Sequence, residues 1–335
     1  MRYVSSGILC IAIGFFLWQS FDLAPYQAHH IQAHAPSSVE RNFLEDVEIV
    51  SSPLKEDWLI KYINWAQKEI KVALYMFTVP SMREALLRAK ERGVDVRVLL
   101  EENPYNATSI NRETVQFLQK NTLNFYETGD QNFSFMHAKY MIIDDGWIIS
   151  TANWTRSSFS SNREFFVIWK DALILKDLKN LFEADFWGRQ WISYDNRIMT
   201  WPTNAREKFI QFIESADNKI NLYMPNISDE KIISEFQKIC SKWRKVAILL
   251  DKNEENMKNG NSISKNGCPE IRMMKTPSLH AKSLIIDDKE VFIGSFNFTK
   301  NSLDNNREIG IFINWKSISN IVNMFYKDWG KSIAF

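Results

Sequence analysis

The apolar positions of the chain alternate between helical spacing and short continuous runs, and this alternation is the first guide to its fold. Apolar residues recur at helical spacing in 58–67, 80–92 and 173–187. Between them, 71–76 and 94–100 are short apolar runs of the kind that form buried strands. A strand, a helix and a second strand in this order predict a parallel pair, and therefore an α/β fold.

The same pattern occurs again in the second part of the chain. Ser228 or Asp229 lies where it would cap a helix with an apolar inner face. Three pairs of segments correspond: 71–76 with 219–224, 96–101 with 246–251, and 173–187 with a C-terminal helix at about 318–329, the members of this last pair both ending in Trp-Gly. We interpret the repetition as a duplicated domain of roughly 140 residues.

The duplication sets the expected boundaries. The expected segments are a signal peptide or signal anchor at 1–35, a linker at 36–50, a first half at 51–187, a joint at 188–205 and a second half at 206–335. A pseudo-twofold relation between the halves brings equivalent residues of both to one cleft.

A short polar motif is repeated within the two halves. His137-Ala138-Lys139 is followed by four residues and Asp144, and His280-Ala281-Lys282 by four residues and Asp287. In both copies Ile-Ile precedes a pair of aspartates, which predicts a buried strand that runs into a turn. Because residues two apart on a strand share a face, the His and Lys of each copy should point the same way. An imidazole beside an ammonium suits a phosphate: the Lys supplies charge, and the His supplies a nucleophile or a proton.

A second set of polar residues follows each motif at nearly the same distance. Asn amides and Ser or Thr hydroxyls can donate hydrogen bonds to phosphate oxygens. A Glu can hold the far nitrogen of a His and fix its tautomer. The candidate phosphate-binding or supporting residues are Asn153, Thr151 and Glu164 after the first motif, and Ser295, Asn297 and Glu308 after the second.

Composition limits the partners and cofactors. The net charge of +1 is lower than is usual for a protein that grips nucleic acid non-specifically, and 45% apolar residues suffice for a substantial core. Cys240 and Cys268 form either one disulfide or two free thiols, and the sequence leaves both open. No spacing of Cys and His indicates a metal site, and we expect no cofactor.

The N-terminus carries an apolar run of twelve residues at 7–18, preceded by Arg2. This is shorter than the roughly 20 residues of a membrane-spanning helix, and it is typical of the core of a secretory signal. Ala33 and Ala35 form a small-x-small cleavage pattern, but Pro36 disfavours cutting there, so cleavage and retention as an anchor both remain open. Either outcome predicts a secreted, periplasmic or membrane-anchored protein.

The two His-x-Lys-x4-Asp motifs, each followed by Gly/Ser-Ser/Thr-x-Asn and Asn-Arg-Glu, resemble those of the phospholipase D superfamily over about residues 50–330. The resemblance implies a duplicated α/β fold, with two mixed-sheet halves flanked by helices around one shared active site. It also implies a metal-independent phosphodiesterase that works through a covalent phosphohistidine. One departure from the family pattern is Ser150-Thr151 in place of Gly-Ser, which keeps the hydroxyl.

The resemblance assigns a role to each candidate. His137 would attack phosphorus, and His280 would protonate the leaving alcohol and then activate water or an acceptor alcohol. Lys139, Lys282, Asn153 and Asn297 would hold the phosphoryl oxygens, and Glu164 and Glu308 would orient the histidines. The candidate catalytic set consists of the motif residues His137, Lys139, Asp144, His280, Lys282 and Asp287, of which the two aspartates are expected to be structural.

The scaffold leaves several substrates open. The near-neutral charge, the N-terminus and aromatics such as Trp147, Trp154 and Phe159 favour hydrolysis or transphosphatidylation of phospholipids, with a membrane surface as partner. The compact length favours the alternative, a nuclease acting on DNA or RNA; a cardiolipin-synthase-like transferase is the third reading. Because both half-sites lie in one chain, we expect a monomer.

Overall fold

The computed structural model describes residues 47–129, 133–189, 195–200, 204–242, 244–314 and 316–335. The expected signal or anchor at 1–35 and most of the expected linker lie outside these residues.

The first half is built from short strands and amphipathic helices. Its elements are β1 (Glu48–Ser51), α1 (Asp57–Trp65), β2 (Glu69–Leu74), α2 (Pro80–Glu91), β3 (Asp95–Leu100), α3 (Arg112–Lys120), β4 (Asn124–Glu127), β5 (Tyr140–Ile143), β6 (Gly146–Ser150), α4 (Arg156–Ser160), β7 (Asn162–Arg163), β8 (Phe165–Trp169) and α5 (Ala172–Phe186). Helix α2 starts at Pro80, whose missing N–H is not needed in a first turn, and the chain turns at Gly93 with a φ of 91°.

The second half repeats this order. Its elements are β9 (Ile198–Thr200), α6 (Ala205–Glu214), β10 (Lys219–Met224), α7 (Glu230–Ser241), β11 (Lys245–Asp251), α8 (Glu254–Ile263), β12 (Glu270–Met274), β13 (Ser278–Leu279), β14 (Ser283–Ile286), β15 (Glu290–Gly294), α9 (Lys300–Asp304), β16 (Ile309–Asn314), α10 (Ser319–Lys331) and β17 (Ile333–Ala334). Of the two expected caps of α7, Asp229 is the one whose side chain accepts a helix N–H, from Ile232.

Each half forms a mixed sheet. Over the described residues the first sheet has the order β1-β8-β6-β5-β2-β3-β4 and the second the order β17-β12-β11-β10-β14-β15-β16-β9. Strands β2 and β3 are parallel, as the strand–helix–strand order predicts, whereas β2 and β5 are antiparallel. The predicted fold class, two mixed-sheet α/β halves with flanking helices, is confirmed.

One hydrophobic core joins the two sheets. Trp147 and Ile149 of β6 and Ile293 of β15 belong to the same cluster of buried side chains, together with Phe182 of α5 and Phe325 of α10. Each sheet has one further cluster on its other face. That of the first sheet lies under α1 and α2, and that of the second sheet lies under α6 and α7. The halves are therefore fused through their inner sheet faces, which is what allows them to share a site.

The residues of β2 that are equivalent to β10 differ from those that the sequence pattern predicts. Glu69 and Lys219 occupy equivalent positions, because the N–H of each donates to the motif aspartate of its own half, over 3.1 and 2.8 Å. The expected match of 71–76 with 219–224 is therefore wrong by two residues. A shift of two keeps every side chain on the same face, so the apolar pattern does not detect it. The match of 96–101 with 246–251 agrees with the register of β2 with β3 and of β10 with β11.

The expected linker, the expected joint and the two cysteines are each seen in more detail in the structure. Residues 48–50, at the end of the expected linker, belong to β1, which pairs with β8. Strand β9, within the expected joint, pairs with β16. Cys240 and Cys268 are joined in a disulfide, which settles the alternative left open by the sequence.

The localisation expected from the N-terminal run is corrected. Among the helices of the described residues, none combines the length and the apolar character needed to cross a bilayer. The apolar run from which secretion or anchoring was predicted lies outside those residues.

Candidate active site

The two motif histidines lie where the halves meet. The N–H of His137 donates to the carbonyl of Arg307 over 2.9 Å, and the N–H of His280 donates to the carbonyl of Arg163 over 3.2 Å. The segment before each histidine thus runs parallel to the Asn-Arg-Glu segment of the other half. The regular strands of the motifs start three residues after the histidines, at Tyr140 and Ser283, later than expected.

Each histidine is held by a glutamate of the opposite half. Nδ1 of His137 lies 2.9 and 3.0 Å from the carboxylate oxygens of Glu308, and Nδ1 of His280 lies 2.7 Å from Oε1 of Glu164. Both glutamate side chains are fully buried, while the His137 and His280 side chains are 11% and 30% exposed. In a neutral imidazole, an Nδ1–H that donates to a carboxylate leaves Nε2 of each ring without a proton and able to act as a nucleophile or a base. The crossed pairing makes neither half-site complete without the other.

The hydroxyls that follow the motifs support these glutamates. Oγ1 of Thr151 donates to Glu164 over 2.6 Å, and Oγ of Ser295 donates to Glu308 over 2.5 Å. Because a hydroxyl has one proton, neither can donate to a phosphate in this arrangement. Ser302 and Asn306 add hydrogen bonds to Glu308, of 2.5 and 3.2 Å.

The two motif lysines are buried beside the imidazoles. Nζ of Lys139 donates to the carbonyl of His137, and Nζ of Lys282 donates to the carbonyl of His280. Nζ of Lys282 also lies 3.2 Å from Nε2 of His280, so this pair shares a face, as the spacing of two predicts. Two buried lysine amines next to two imidazoles form a cluster that suits an anion.

Burial dominates the protonation of the site. It lowers the pKa of His137 to about 4 and also lowers that of His280, although the paired glutamates act in the opposite direction. Burial likewise lowers the pKa of Lys282 to about 8 and that of Lys139 well below its usual value. His137 is also affected by the charge of Lys282, and His280 by that of Lys139, so the two half-sites share one electrostatic environment.

Neutralising the charges around His137 should move its pKa in opposite directions. In Glu308→Gln the pKa should fall below about 4, because the carboxylate that favours the imidazolium is gone. In Lys139→Met the pKa should rise, because a repelling ammonium is removed. The measurement is an NMR titration of the His137 ring, and shifts of the same sign in both variants would contradict the assignment. The His280 ring serves as the reference for Glu308→Gln only, because the charge of Lys139 also affects its pKa.

The two candidate asparagines keep hydrogen-bonding capacity for a ligand. The amide oxygens of Asn153 and Asn297 are buried, and none of the described residues donates a hydrogen bond to them. Buried amides without partners are uncommon, because each one costs free energy in the empty protein. These oxygens can accept a hydrogen bond from a ligand, whereas a phosphoryl oxygen needs a donor, so the predicted role in holding phosphoryl oxygens falls to the Nδ2 groups and remains a prediction.

The two motif aspartates support the turn at the far end of the strand. Asp144 accepts the backbone N–H groups of Gln67, Lys68 and Glu69 over 2.7–3.1 Å, and Asp287 makes the equivalent three bonds. Each aspartate lies five positions after its motif lysine along an extended chain, which is roughly 17 Å. This position favours the structural role that the sequence predicts for them, which stays a prediction.

Replacing Asp144 with Ala should therefore affect stability much more than chemistry. Loss of the acceptor for three N–H groups should lower the free energy of unfolding by about 1–2 kcal/mol, and kcat should stay within about twofold. Asp144→Asn should lose less, because Asn tolerates the positive φ of 51° and keeps one acceptor. Denaturant unfolding and steady-state kinetics on the same samples test this; a large fall in kcat for a folded variant would make Asp144 catalytic.

Two pairs of supporting residues were not predicted. Arg163 pairs with Asp328 over 2.7 Å and Arg307 with Asp185 over 2.8 Å, so each Asn-Arg-Glu arginine is bound by the last turns of a helix of the other half. The repeated Asn-Arg-Glu was the available signal for the arginines.

Glu101 and Asp251 were also missed as supporting residues. They accept the N–H of the residue just before each histidine, Met136 over 2.6 Å and Leu279 over 2.8 Å. Their matched positions at the ends of β3 and β11 were visible in the correspondence of 96–101 with 246–251.

Fold and site together define a duplicated α/β protein with one two-histidine, two-lysine site shared between its halves. Residues 59–187 and 209–329 both match the family model described as cardiolipin synthase, PLD-like domain. The chain belongs to the phospholipase D superfamily. The match covers both halves and ends within the helices α5 and α10 or just after them.

Individual relatives cover less. A mitochondrial cardiolipin hydrolase of Xenopus laevis is 29% identical over 163 residues, 44% of this chain and 72% of that protein. A probable cardiolipin synthase of Bacillus subtilis is 32% identical over 158 residues, and the match spans only 31% of that protein. The crystal structure of phosphatidylserine synthase from Haemophilus influenzae has a TM-score of 0.68 over 88% of this chain and 90% of its own, at 14% identity, which establishes likeness of fold alone.

Proposed function

We propose that the protein hydrolyses or transfers phospholipid phosphodiesters through a covalent phosphohistidine. The observation that carries this proposal is the crossed pair of His–Glu couples around two buried lysines. A single phosphorus between the imidazoles would meet a nucleophile, an acid and two cations at once. One chain supplies both couples, which also supports a monomeric enzyme.

The first step transfers the phosphoryl group to the enzyme. Nε2 of His137 attacks phosphorus, and the P–O bond to the leaving alcohol breaks. The alcohol oxygen takes a proton from Nε2 of His280, which Glu164 supports in its charged form. Glu308 stabilises the positive charge that develops on the His137 ring. Lys139, Lys282 and the two asparagines would hold the phosphoryl oxygens.

The second step regenerates the enzyme. His280, now neutral, takes a proton from water, and the oxygen attacks phosphorus as the bond to His137 breaks. If an alcohol replaces the water, the same step produces a new diester. Hydrolysis and transfer therefore use the same residues and differ in the acceptor that reaches the site. The relatives named as a cardiolipin hydrolase and a probable cardiolipin synthase illustrate both outcomes.

Phospholipid is the substrate class that we favour over nucleic acid. The relatives reported above carry lipid names, and the net charge of +1 is low for a protein that binds a polyanion along its length.

An activity panel tests the substrate class. Purified protein in excess EDTA is assayed against phosphatidylcholine, cardiolipin and single-stranded DNA, with the His137→Asn variant as the blank. We expect release of headgroup or of phosphatidate from at least one lipid and none in the blank. Adding glycerol should divert part of the product into a transferred diester. Cleavage of DNA without lipid turnover would overturn the lipid assignment and leave the two-histidine chemistry in place.

A further inference from the structure

Three aromatic side chains lead from the catalytic histidine of the first half to the protein surface. The ring of Tyr75 meets the His137 ring edge-on at 4.8 Å between centroids, Phe135 lies 6.0 Å from Tyr75, and Tyr105 lies 6.5 Å from Phe135. Tyr75 is buried, Phe135 is half-buried and Tyr105 is 70% exposed. We call Tyr75, Phe135 and Tyr105 the aromatic track.

The outer end of the aromatic track is tied to the site. The backbone N–H of Tyr105 donates to the phenol oxygen of Tyr75 over 2.6 Å. Burial raises the pKa of Tyr75 to about 12, so this phenol stays neutral at ordinary pH. The face of its ring also lies 5.2 Å from Nζ of Lys139. The loop that carries Tyr105 is therefore fastened to the same residue that contacts His137 and Lys139.

The second half has Pro225 in the place of Tyr75. Nδ2 of Asn111 donates to the carbonyl of Tyr75 over 3.0 Å, and Nδ2 of Asn256 donates to the carbonyl of Pro225 over 2.8 Å. The same two amides bond the carbonyls of the equivalent strand ends, Glu101 and Asp251. These matched bonds fix which residues correspond.

The loop that carries Tyr105 is longer than its counterpart. Glu101 and Asn111 are ten residues apart, whereas Asp251 and Asn256 are five residues apart. The extra residues of the first half include the position of Tyr105.

The wall of the second half is polar. Phe135 and Ser278 correspond, since each lies two residues before its motif histidine. Oγ of Ser278 donates to Asp251 over 2.8 Å. Beyond Pro225, Asn226 donates to the carboxylate of Glu255 over 3.3 Å at the surface. The two halves therefore differ at these positions: Tyr75 and Phe135 of the first half are matched by Pro225 and by Ser278, whose hydroxyl bonds a carboxylate.

A phosphodiester also has two sides, and in a phospholipid one is apolar and the other polar. We propose that the aromatic track is the subsite for the acylglycerol side of a phospholipid, with the headgroup on the polar side near Ser278. This inference rests on the proposed function and adds the direction in which the substrate lies.

Acyl carbons on Tyr105 and Phe135 remove apolar surface from water on both partners. The exposed Glu102, three residues before Tyr105, disfavours a nucleic-acid strand here, because its charge repels phosphates.

The experiment compares two substrates that differ only in their acyl chains. They are dihexanoyl-phosphatidylcholine below its micelle concentration and glycerophosphocholine, which has the same headgroup and no chains. In Tyr105→Ala we expect kcat/KM to fall about tenfold for the diacyl substrate and less than about twofold for the deacylated one. Trp65→Ala is the matched control: Trp65 is 65% exposed, lies beside the Asp144 turn, and its loss should change neither value.

A binding measurement keeps this inference separate from the proposed reaction. Calorimetry with dihexanoyl phosphatidate and with glycerol 3-phosphate compares the same two ligand classes without turnover. If Tyr105→Ala weakens only phosphatidate binding while no lipid is turned over, the subsite stands and the reaction fails. Equal losses for both ligands, no loss for either, or a loss confined to a single-stranded oligonucleotide would overturn the acylglycerol subsite.

Discussion

The His280→Asn variant should accumulate a phosphohistidine on His137 when it is given a diester with a good leaving group such as p-nitrophenol. Such a leaving group departs without a proton, so attack by His137 continues. The next step needs His280 to activate water, so the adduct persists and multiple turnover falls about 10²–10⁴-fold. In His137→Asn no adduct should form, and turnover should fall further, about 10⁵–10⁶-fold. Mass spectrometry of the quenched, acid-labile adduct measures the difference.

The glutamates make this test specific for the crossed arrangement. Glu164→Gln should behave like a mild form of His280→Asn and trap some adduct, because Glu164 holds His280. Glu308→Gln should slow adduct formation, because Glu308 holds His137. Each variant thus affects the histidine of the other half. If Glu164→Gln impaired formation of the adduct and Glu308→Gln impaired its hydrolysis, the assignment of roles to the two histidines would be reversed.

Breaking the buried pair between Arg163 and Asp328 should have the largest effect on stability. Both side chains are at most 7% exposed, and Asp328 also accepts the hydroxyl of Tyr223 over 2.9 Å. In Asp328→Ala the arginine stays buried without its partner, and the free energy of unfolding should fall by about 3–5 kcal/mol. Because Arg163 immediately precedes Glu164, the positioning of His280 should suffer as well.

Two further variants distinguish the effect of breaking the ion pair from that of a general loss of packing. In Arg163→Leu combined with Asp328→Leu no charge is left unpaired, so the loss should be smaller than the sum of the single losses. Lys170→Ala breaks an exposed pair with Asp145 in the same half and should leave the unfolding midpoint unchanged. Denaturant unfolding of Arg163→Leu, Asp328→Leu, the double variant and Lys170→Ala gives the coupling; strictly additive losses would mean that the pair does not join the halves.

Most elements and the location of the candidate site were predictable because they depend on local patterns. Apolar periodicity indicated helices such as α2 and α5 and the parallel pair β2–β3, and the repeated His-x-Lys located both half-sites. Two features were not predicted correctly from the sequence. The match of β2 with its counterpart β10 in the second half was wrong by two residues. A strand pattern has a period of two, so it cannot detect a shift of this size. The aromatic track escaped because Tyr105 lies in a loop without any periodicity.

The sequence by itself determined the duplication, the mixed α/β halves and the presence of two His-Lys pairs, because each is written in residues close together along the chain. Only the tertiary structure decided which glutamate serves which histidine. His137 and Glu308 are 171 residues apart, and His280 and Glu164 are 116 apart. Two nearly identical motifs are equally compatible with pairing within a half and pairing across halves. The packing of the two sheets on one core, which sets each histidine beside the other half's Asn-Arg-Glu segment, selects the crossed pairing.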